Sequence, residues 1–211
     1  ALAFLIAVAA QASLPEMPVI ALDSASAFGA VAQQVGVGLA IGFAVRLVFS
    51  AVELAGEVIG FQMGLNFASF FDPMINAQSS ATARFFGQIA ALLFLAVNAH
   101  LWLVMAITQS FHAFPVDQNF LHAAQGMAMY QLGAELFASA LWIALPMVGI
   151  MLFVNLALGI ISRVAPQMNI FAVGFPVTLV VGMLGIAATL PMLDRPYMAL
   201  MEKAITVFHG G

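Results

Sequence analysis

Hydrophobic residues in this chain come in long runs, and the polar residues between them mark the elements. Residues 1–12 form a partial apolar segment, and "PEMPVIALDS" at 15–24 is a Pro-punctuated linker carrying Glu16 and Asp23. Ser24 can cap the helix that follows. A helical pattern then runs to about Gly64, interrupted only by Arg46, Glu53 and Glu57. Residues 85–116 hold no formal charge and read as one helix through about Ser110, closed by "FHAFPVDQNF". The next run, 118–164, has Glu135 as its acid and Pro146 as an expected kink. "RVAPQMN" at 163–169 predicts a turn, because Pro166 drives Ala165 out of the helical region. Residues 170–193 are uncharged and contain Pro176 and Pro191, and 194–211 form an amphipathic end.

No period-two alternation and no Asn-Gly hairpin signal appears in the chain. The pattern predicts an all-α protein of one domain, with four to six helices arranged as hairpins. Several runs exceed the roughly 20 residues that cross a bilayer. Such helices protrude, tilt, or belong to an assembly standing partly outside the membrane.

Composition sharpens this picture. The chain is 64% hydrophobic and 7% charged over 211 residues, whereas soluble domains carry about 25% charged residues. An integral membrane protein, or a subunit buried in a membrane assembly with lipid as neighbour, is the class that fits. The net charge is −4 and there is no basic patch, which argues against a nucleic-acid partner. The absence of Cys removes disulfides, thiolate metal sites and a Cys nucleophile. The opening "ALAFLIAVAAQASLP" lacks the positive region of a signal peptide and reads as the tail of a membrane helix.

The few polar residues of the second segment are not scattered. At about 100° per residue, Gly42, Arg46, Ser50, Glu53, Glu57, Gly60 and Gly64 fall within about 40° of one line. A charge at membrane depth costs at least ~2.5–3.5 kcal/mol, so this polar stripe is expected to face a cavity or another protein. Glycines repeat at every fourth position beside it, as Gly38 and Gly42, then Gly56, Gly60 and Gly64. That spacing lets helix backbones approach closely, within the chain or between subunits. A proton or ion relay through Glu53 and Glu57 is a further reading of the same residues.

Recognisable catalytic chemistry is absent. There is no HExxH, GxSxG, Walker A or EF-hand pattern. "GVGLAIG" at 36–42 has the wrong spacing for a dinucleotide loop and sits inside an apolar helix. His100, His112, His122 and His209 lack metal-ligand spacing. Asn98 and Asn155 read as helix–helix hydrogen-bond partners. The expectation is no enzyme, no cofactor and no metal. "GFQMGLNFASFFDPMINAQSS" at 60–80 stands apart, because it is too glycine-rich for a helix centre and too aromatic for a solvated loop.

Several stretches together resemble the FliR family of flagellar type III secretion. They are "AVELAGEVIGFQMGLNFASFFDP" (51–73), "LLFLAVNAHLWLV" (92–104), "FHAFPV" (111–116) and the run 145–182 from "LPMVGIMLF" to "PVTLVVG". The resemblance implies one helical export-gate domain over 1–211 whose N-terminal membrane segment is incomplete. It also implies a fold like a FliP-like part joined to a FliQ-like part, in the bacterial inner membrane at the flagellar basal body. The implied partners are FliP-like and FliQ-like subunits in a pore complex, FlhB and FlhA, and unfolded flagellar proteins in transit. The family's plug loop maps here onto Met63, Gly64, Leu65, Asn66, Phe67, Ala68, Ser69, Phe70, Phe71, Asp72, Pro73 and Met74. Glycines at 60 and 64 would end the helix. Phe67, Phe70 and Phe71 would exclude water from a pore, and Asp72-Pro73 would turn the chain back. The alternatives are the homologous injectisome subunit and a self-contained proton-coupled transporter built on Arg46, Glu53 and Glu57.

Overall fold

The computed structural model describes residues 7–8, 11, 25–65, 80–113, 129–167 and 169–206. Every element among them is helical: α1 (Ala25–Gln62), α2 (Ala81–Ala96), α3 (Ala99–Ala113), α4 (Met129–Val164), α5 (Ile170–Thr189), a 3₁₀ turn (Leu190–Met192) and α6 (Asp194–Thr206). The all-α fold read from the pattern is therefore present. Ser24, most of the first apolar segment and most of "FHAFPVDQNF" lie outside the described residues.

Among the described residues, three helices are long and apolar enough to cross a membrane: Ala27–Gln62, Leu132–Val164 and Ala172–Met192. The pair Ala81–Ala96 and Ala99–His112 makes a fourth if counted as one span, but it is bent by 71°. The sequence pattern predicted a single helix there. Asn98 is the reason it breaks. Its φ is +56°, and its N–H bonds to the Leu95 carbonyl while its own carbonyl accepts from Leu101 N–H. Asn is among the few non-Gly residues that occupy this left-handed region readily. So Asn98 closes α2 and opens α3, and it is exposed on this chain. Pro146, by contrast, lies within the unbroken helical run of α4.

Contacts divide the chain into two compact units, 1–48 with 94–135 and 199–211, and 49–93 with 136–198. In the first, the N-terminal part of α1 buries Ala30, Gln33, Val37, Ile41, Ala44 and Val48, a three-four repeat along one face. Phe28, Val31, Leu39 and Phe43 point outward. In α6 the sequence "DRPYMALMEKAIT" does what its period predicts. Tyr197, Leu200, Met201, Ala204 and Ile205 are buried, while Asp194, Arg195, Glu202 and Lys203 are exposed. Lys203 pairs with Glu135 of α4 at 2.8 Å, both partly exposed, a contact of about 0–1 kcal/mol.

The second unit consists of two antiparallel pairs. Gly174 faces Leu158 and Gly185 faces Met147, so α4 and α5 fold back on each other about Pro166. The end of α1 packs on the start of α2 in the same manner, with Glu53 over Gly87 and Gly56 against Ala83 and Phe86. A Cβ on Gly56 would fall 2.9 Å from the Thr82 carbonyl oxygen and 3.0 Å from the Ala83 Cα. Those are backbone atoms, which cannot step aside as a flexible side chain can.

That contrast is testable. Gly56→Ala should cost about 1–3 kcal/mol by overpacking. Gly159→Ala, on α4 with nothing within 4 Å, should be neutral or gain up to about 1 kcal/mol of helix propensity. The measurement is the protease-resistant fraction of the detergent-extracted protein. Equal fractions for the two variants would contradict the close approach of α1 and α2.

Candidate functional site

The polar stripe of α1 changes surroundings along its length. Gly42 and Arg46 are exposed and Ser50 is half-buried. Glu53 and Glu57 are half-buried and turn toward α2. The glycine ladder divides at the same place. Gly38 and Gly42 have nothing within 4 Å of where a side chain would start, whereas Gly56 and Gly60 are buried against Ala83, Phe86 and Thr82. Identical spacing thus serves a packed contact at one end and open surface at the other.

Glu57 has a defined task. Its Oε2 accepts from Ser80 Oγ at 2.6 Å and from Ser80 N–H at 3.2 Å. Ser80 Oγ in turn accepts from Ala83 N–H at 3.1 Å and lies 3.0 Å from Thr82 Oγ1. Ser80 is therefore the N-cap of α2, bonded to the third helical amide. In a capping box, a Glu at that third position would accept the cap's own N–H. Here the third position is Ala83, and Glu57 of the neighbouring helix supplies the carboxylate instead. A negative charge beside a helix N-terminus is itself favourable.

The other end of the same pair is closed differently. Gly64, at φ +77°, donates its N–H to the Phe61 carbonyl, and Leu65 N–H bonds to the Gly60 carbonyl, each at 3.1 Å. These two bonds form a Schellman stop with Gly in the left-handed position. Gly64 ends α1, as the sequence suggests, but Gly60 does not. Gly60 lies within the helix, where its missing side chain leaves room for Thr82. Just beyond these bonds, Thr178 of α5 reaches the Met63 carbonyl with its hydroxyl at 3.2 Å. That hydroxyl is also 3.0 Å from the Phe175 carbonyl of its own helix, so its one proton is shared.

Met63 is buried at 1% exposure, with its side chain lying where a Cβ on Gly182 would sit. Leu65 is half-buried. Asn66, Phe67, Ala68, Ser69, Phe70, Phe71, Asp72, Pro73 and Met74 lie outside the described residues. The structure thus brings together Glu57, Gly60, Met63, Gly64 and Leu65 at the two ends of segment 66–79. Sequence reasoning passed over Ser80 and Thr178. "SSATA" at 79–83 carries a cap signal that could have revealed Ser80. Thr178 had no local signal, since its partner is 115 residues away.

Elsewhere, among the described residues, no group of three or more His, Asp or Glu could hold a metal ion. His100 is half-buried beside Phe94, with ring centroids 6.3 Å apart, and His112 is exposed. Burial pushes the Tyr197 phenol well above its usual range, so it stays protonated. A cleft of about 150 Å³ lies among Phe86, Trp142, Pro146, Leu190 and Pro196, and none of its lining residues titrates.

Residues 1–204 match the family model described as "Bacterial export proteins, family 1". The chain is similar to the flagellar biosynthetic protein FliR of Escherichia coli (strain K12), 41% identical over 194 residues, which are 91% of this chain and 73% of that protein. It is similar to FliR of Pectobacterium carotovorum, 42% identical over 161 residues, 76% of this chain and 62% of that one. For FliR of Bacillus subtilis the identity is 34% over 182 residues, 85% of this chain and 70% of that one.

The fit of Met63 against Gly182 can be measured as a cycle. Met63→Ala should cost about 2–5 kcal/mol as a large-to-small core change. Gly182→Ala should cost about 1–3 kcal/mol by overpacking. Combined, they should cost less than their sum, because the smaller residue 63 makes room for the new methyl. Thermal midpoints of the detergent-extracted protein check this, and strict additivity would refute the contact.

Proposed function

The chain belongs to family 1 of the bacterial export proteins, and from that premise we propose that it is a subunit of the flagellar protein-export apparatus. In this reading it supplies part of the pore wall and a plug loop for unfolded flagellar proteins crossing the inner membrane. Family membership selects the export apparatus over a self-contained transporter. The relatives are flagellar biosynthetic proteins by name, which supports that system over an injectisome.

The observation that carries the reading is the amount of apolar surface the chain leaves uncovered. In an apolar 18-residue stretch of Leu132–Val164 only 17% is buried within the chain, and in one of Ala172–Met192 only 22%. Leu141, Trp142, Phe153 and Leu156 on α4, and Val180 and Leu184 on α5, are all more than half exposed. Lipid covers one part of such a surface, and other helical subunits cover the rest. FliP-like and FliQ-like subunits are the proposed neighbours, with FlhB and FlhA further partners. Gly38 and Gly42, with open space where a side chain would start, and the exposed Arg46 on the same helix form the proposed close-packing and polar contact with them. Ser50, Glu53 and Glu57 continue that stripe into the chain's own hairpin.

The proposed plug comprises residues 63–74. A gate must stop ions yet yield to a passing chain, and an apolar constriction does this by excluding water. Phe67, Phe70 and Phe71 give that bulk. Burying each contributes roughly 1.5–3 kcal/mol, so three together weigh heavily on a closed–open balance.

Two sets of variants should separate wall from plug. Gly38→Leu or Arg46→Ala should lower recovery of the co-expressed complex. Deletion of 66–72, or Phe67, Phe70 and Phe71 changed together to Gly, should leave recovery intact and make resting cells permeable to small solutes. Affinity recovery of the complex and dye uptake are the readouts. A fully assembled, impermeable triple variant would refute the plug.

A further inference from the structure

Two proline turns border the cleft of about 150 Å³ in the second unit. Trp142 and Pro146 both line it, and so do Met192 and Pro196. Within each pair the proline stands one turn on, where the amide serving that carbonyl belongs. Pro146 lies inside α4 and has no N–H to give the Trp142 carbonyl. Thr189 and Leu193 flank the 3₁₀ turn in the right-handed helical region, so the chain runs helically into α6. Pro196 therefore has no N–H for the Met192 carbonyl either. The amide beside it, that of Arg195, is turned to the Asp194 carboxylate at 2.7 Å. Thr189 adds an acceptor, because its hydroxyl proton is spent on the Gly185 and Ile186 carbonyls at 2.9 and 3.2 Å. Phe86, almost fully buried, and Trp142, 71% exposed, give the cleft its aromatic walls.

The cleft also has a defined depth. The 21-residue span Ala172–Met192 is about 30 Å long, the thickness of a bilayer's hydrocarbon core. The cleft lies at its end, and charge begins just beyond with Asp194 and Arg195, both exposed. The helix opposite is at the same level. Gly174 faces Leu158 and Gly185 faces Met147, and this antiparallel register continued places Leu190 opposite Trp142. A Trp at that level sits where aromatic belts meet lipid headgroups. We propose that the cleft binds the primary ammonium headgroup of a phosphatidylethanolamine molecule from the surrounding bilayer. An ammonium brings three N–H donors and no acceptor. The lining offers acceptors and, among the described residues, no cation. Carbonyls without a donor in an apolar setting are costly, and the headgroup supplies one. The aromatic side chains attract a cation. Exposed Arg195, adjoining Pro196, is placed for the lipid phosphate. A single water needs only about 10–15 Å³, so one water does not fill this space. The proposal depends on the membrane-spanning helices and not on the plug.

The test uses the full complex, co-expressed with its partner subunits and placed in nanodiscs of equal parts phosphatidylethanolamine and phosphatidylcholine. Phosphatidylcholine keeps the phosphate and the positive charge, but its trimethylammonium has no N–H. Benzoylphenylalanine in place of Met192 reports the cleft locally, since the Met192 carbonyl is retained. After illumination, the mass of the chain shows what has been captured. The expected result is phosphatidylethanolamine in excess over phosphatidylcholine by about tenfold, the worth of one hydrogen bond from a charged donor. Pro146→Ala with Pro196→Ala returns both amides without removing a lining side chain beyond the rings themselves. This double variant should capture the two lipids equally, with undiminished recovery of the complex. Should it fail to assemble, Pro196→Ala alone decides, and its excess should fall below half that of the parent. Equal capture by the parent overturns the proposal, as does an excess that the returned amides leave unchanged. Capture of a partner subunit in place of lipid also overturns it, and assigns the cleft to a protein side chain.

Discussion

The ends of helices, more than their middles, constrain this molecule. A backbone amide or carbonyl left unpaired in an apolar setting costs several kcal/mol, since no water is at hand. The middle of α1 meets that demand through its own helical bonds. Its C-terminus and the start of α2 cannot, because four carbonyls and four amides there have no partner within the helix. The fold answers with Gly64 in the left-handed region, a hydroxyl from α5, and the Glu57 carboxylate bridging to Ser80. Remove these and the α1–α2 pair has no defined end.

The close approach of the two helices and the polar contacts depend on each other. Glu57 reaches Ser80 only because Gly56 and Gly60 let α2 lie directly on α1. Gly182 plays the equivalent part for Met63, which brings α5 near enough for Thr178 to reach the end of α1. Small residues therefore decide where the backbone can come close, and the few polar side chains then bond across the gap. Apolar surface outside these contacts stays exposed on this chain.

Much of this could be read from the residue pattern, and the misses have physical causes. The long α1 and its polar stripe followed from spacing alone, as did the turn at Pro166 and the amphipathic α6. The break at Asn98 was hidden because its neighbours are all helix formers, and a single left-handed Asn leaves no trace in hydrophobic periodicity. Gly38-x-x-x-Gly42 and Gly56-x-x-x-Gly60 are the same motif, yet among the described residues only the second packs against another helix, because α2 starts opposite it. The role of Thr178 depends on a tertiary contact with Met63 that no local window contains. The family resemblance was legible because it rests on long stretches in order, which the match over residues 1–204 reproduces.

Amide hydrogen exchange in the assembled complex addresses the central claim most directly. If the helix ends are sealed by side chains from other elements, the amides of Gly64, Leu65, Ser80 and Ala83 should exchange as slowly as those in the middle of α1. Ordinary frayed ends open at almost no free-energy cost, so their amides exchange fast. Slow exchange at all four positions is the result this account predicts. Fast exchange at Ser80 and Leu65, with α1 itself protected, would contradict it.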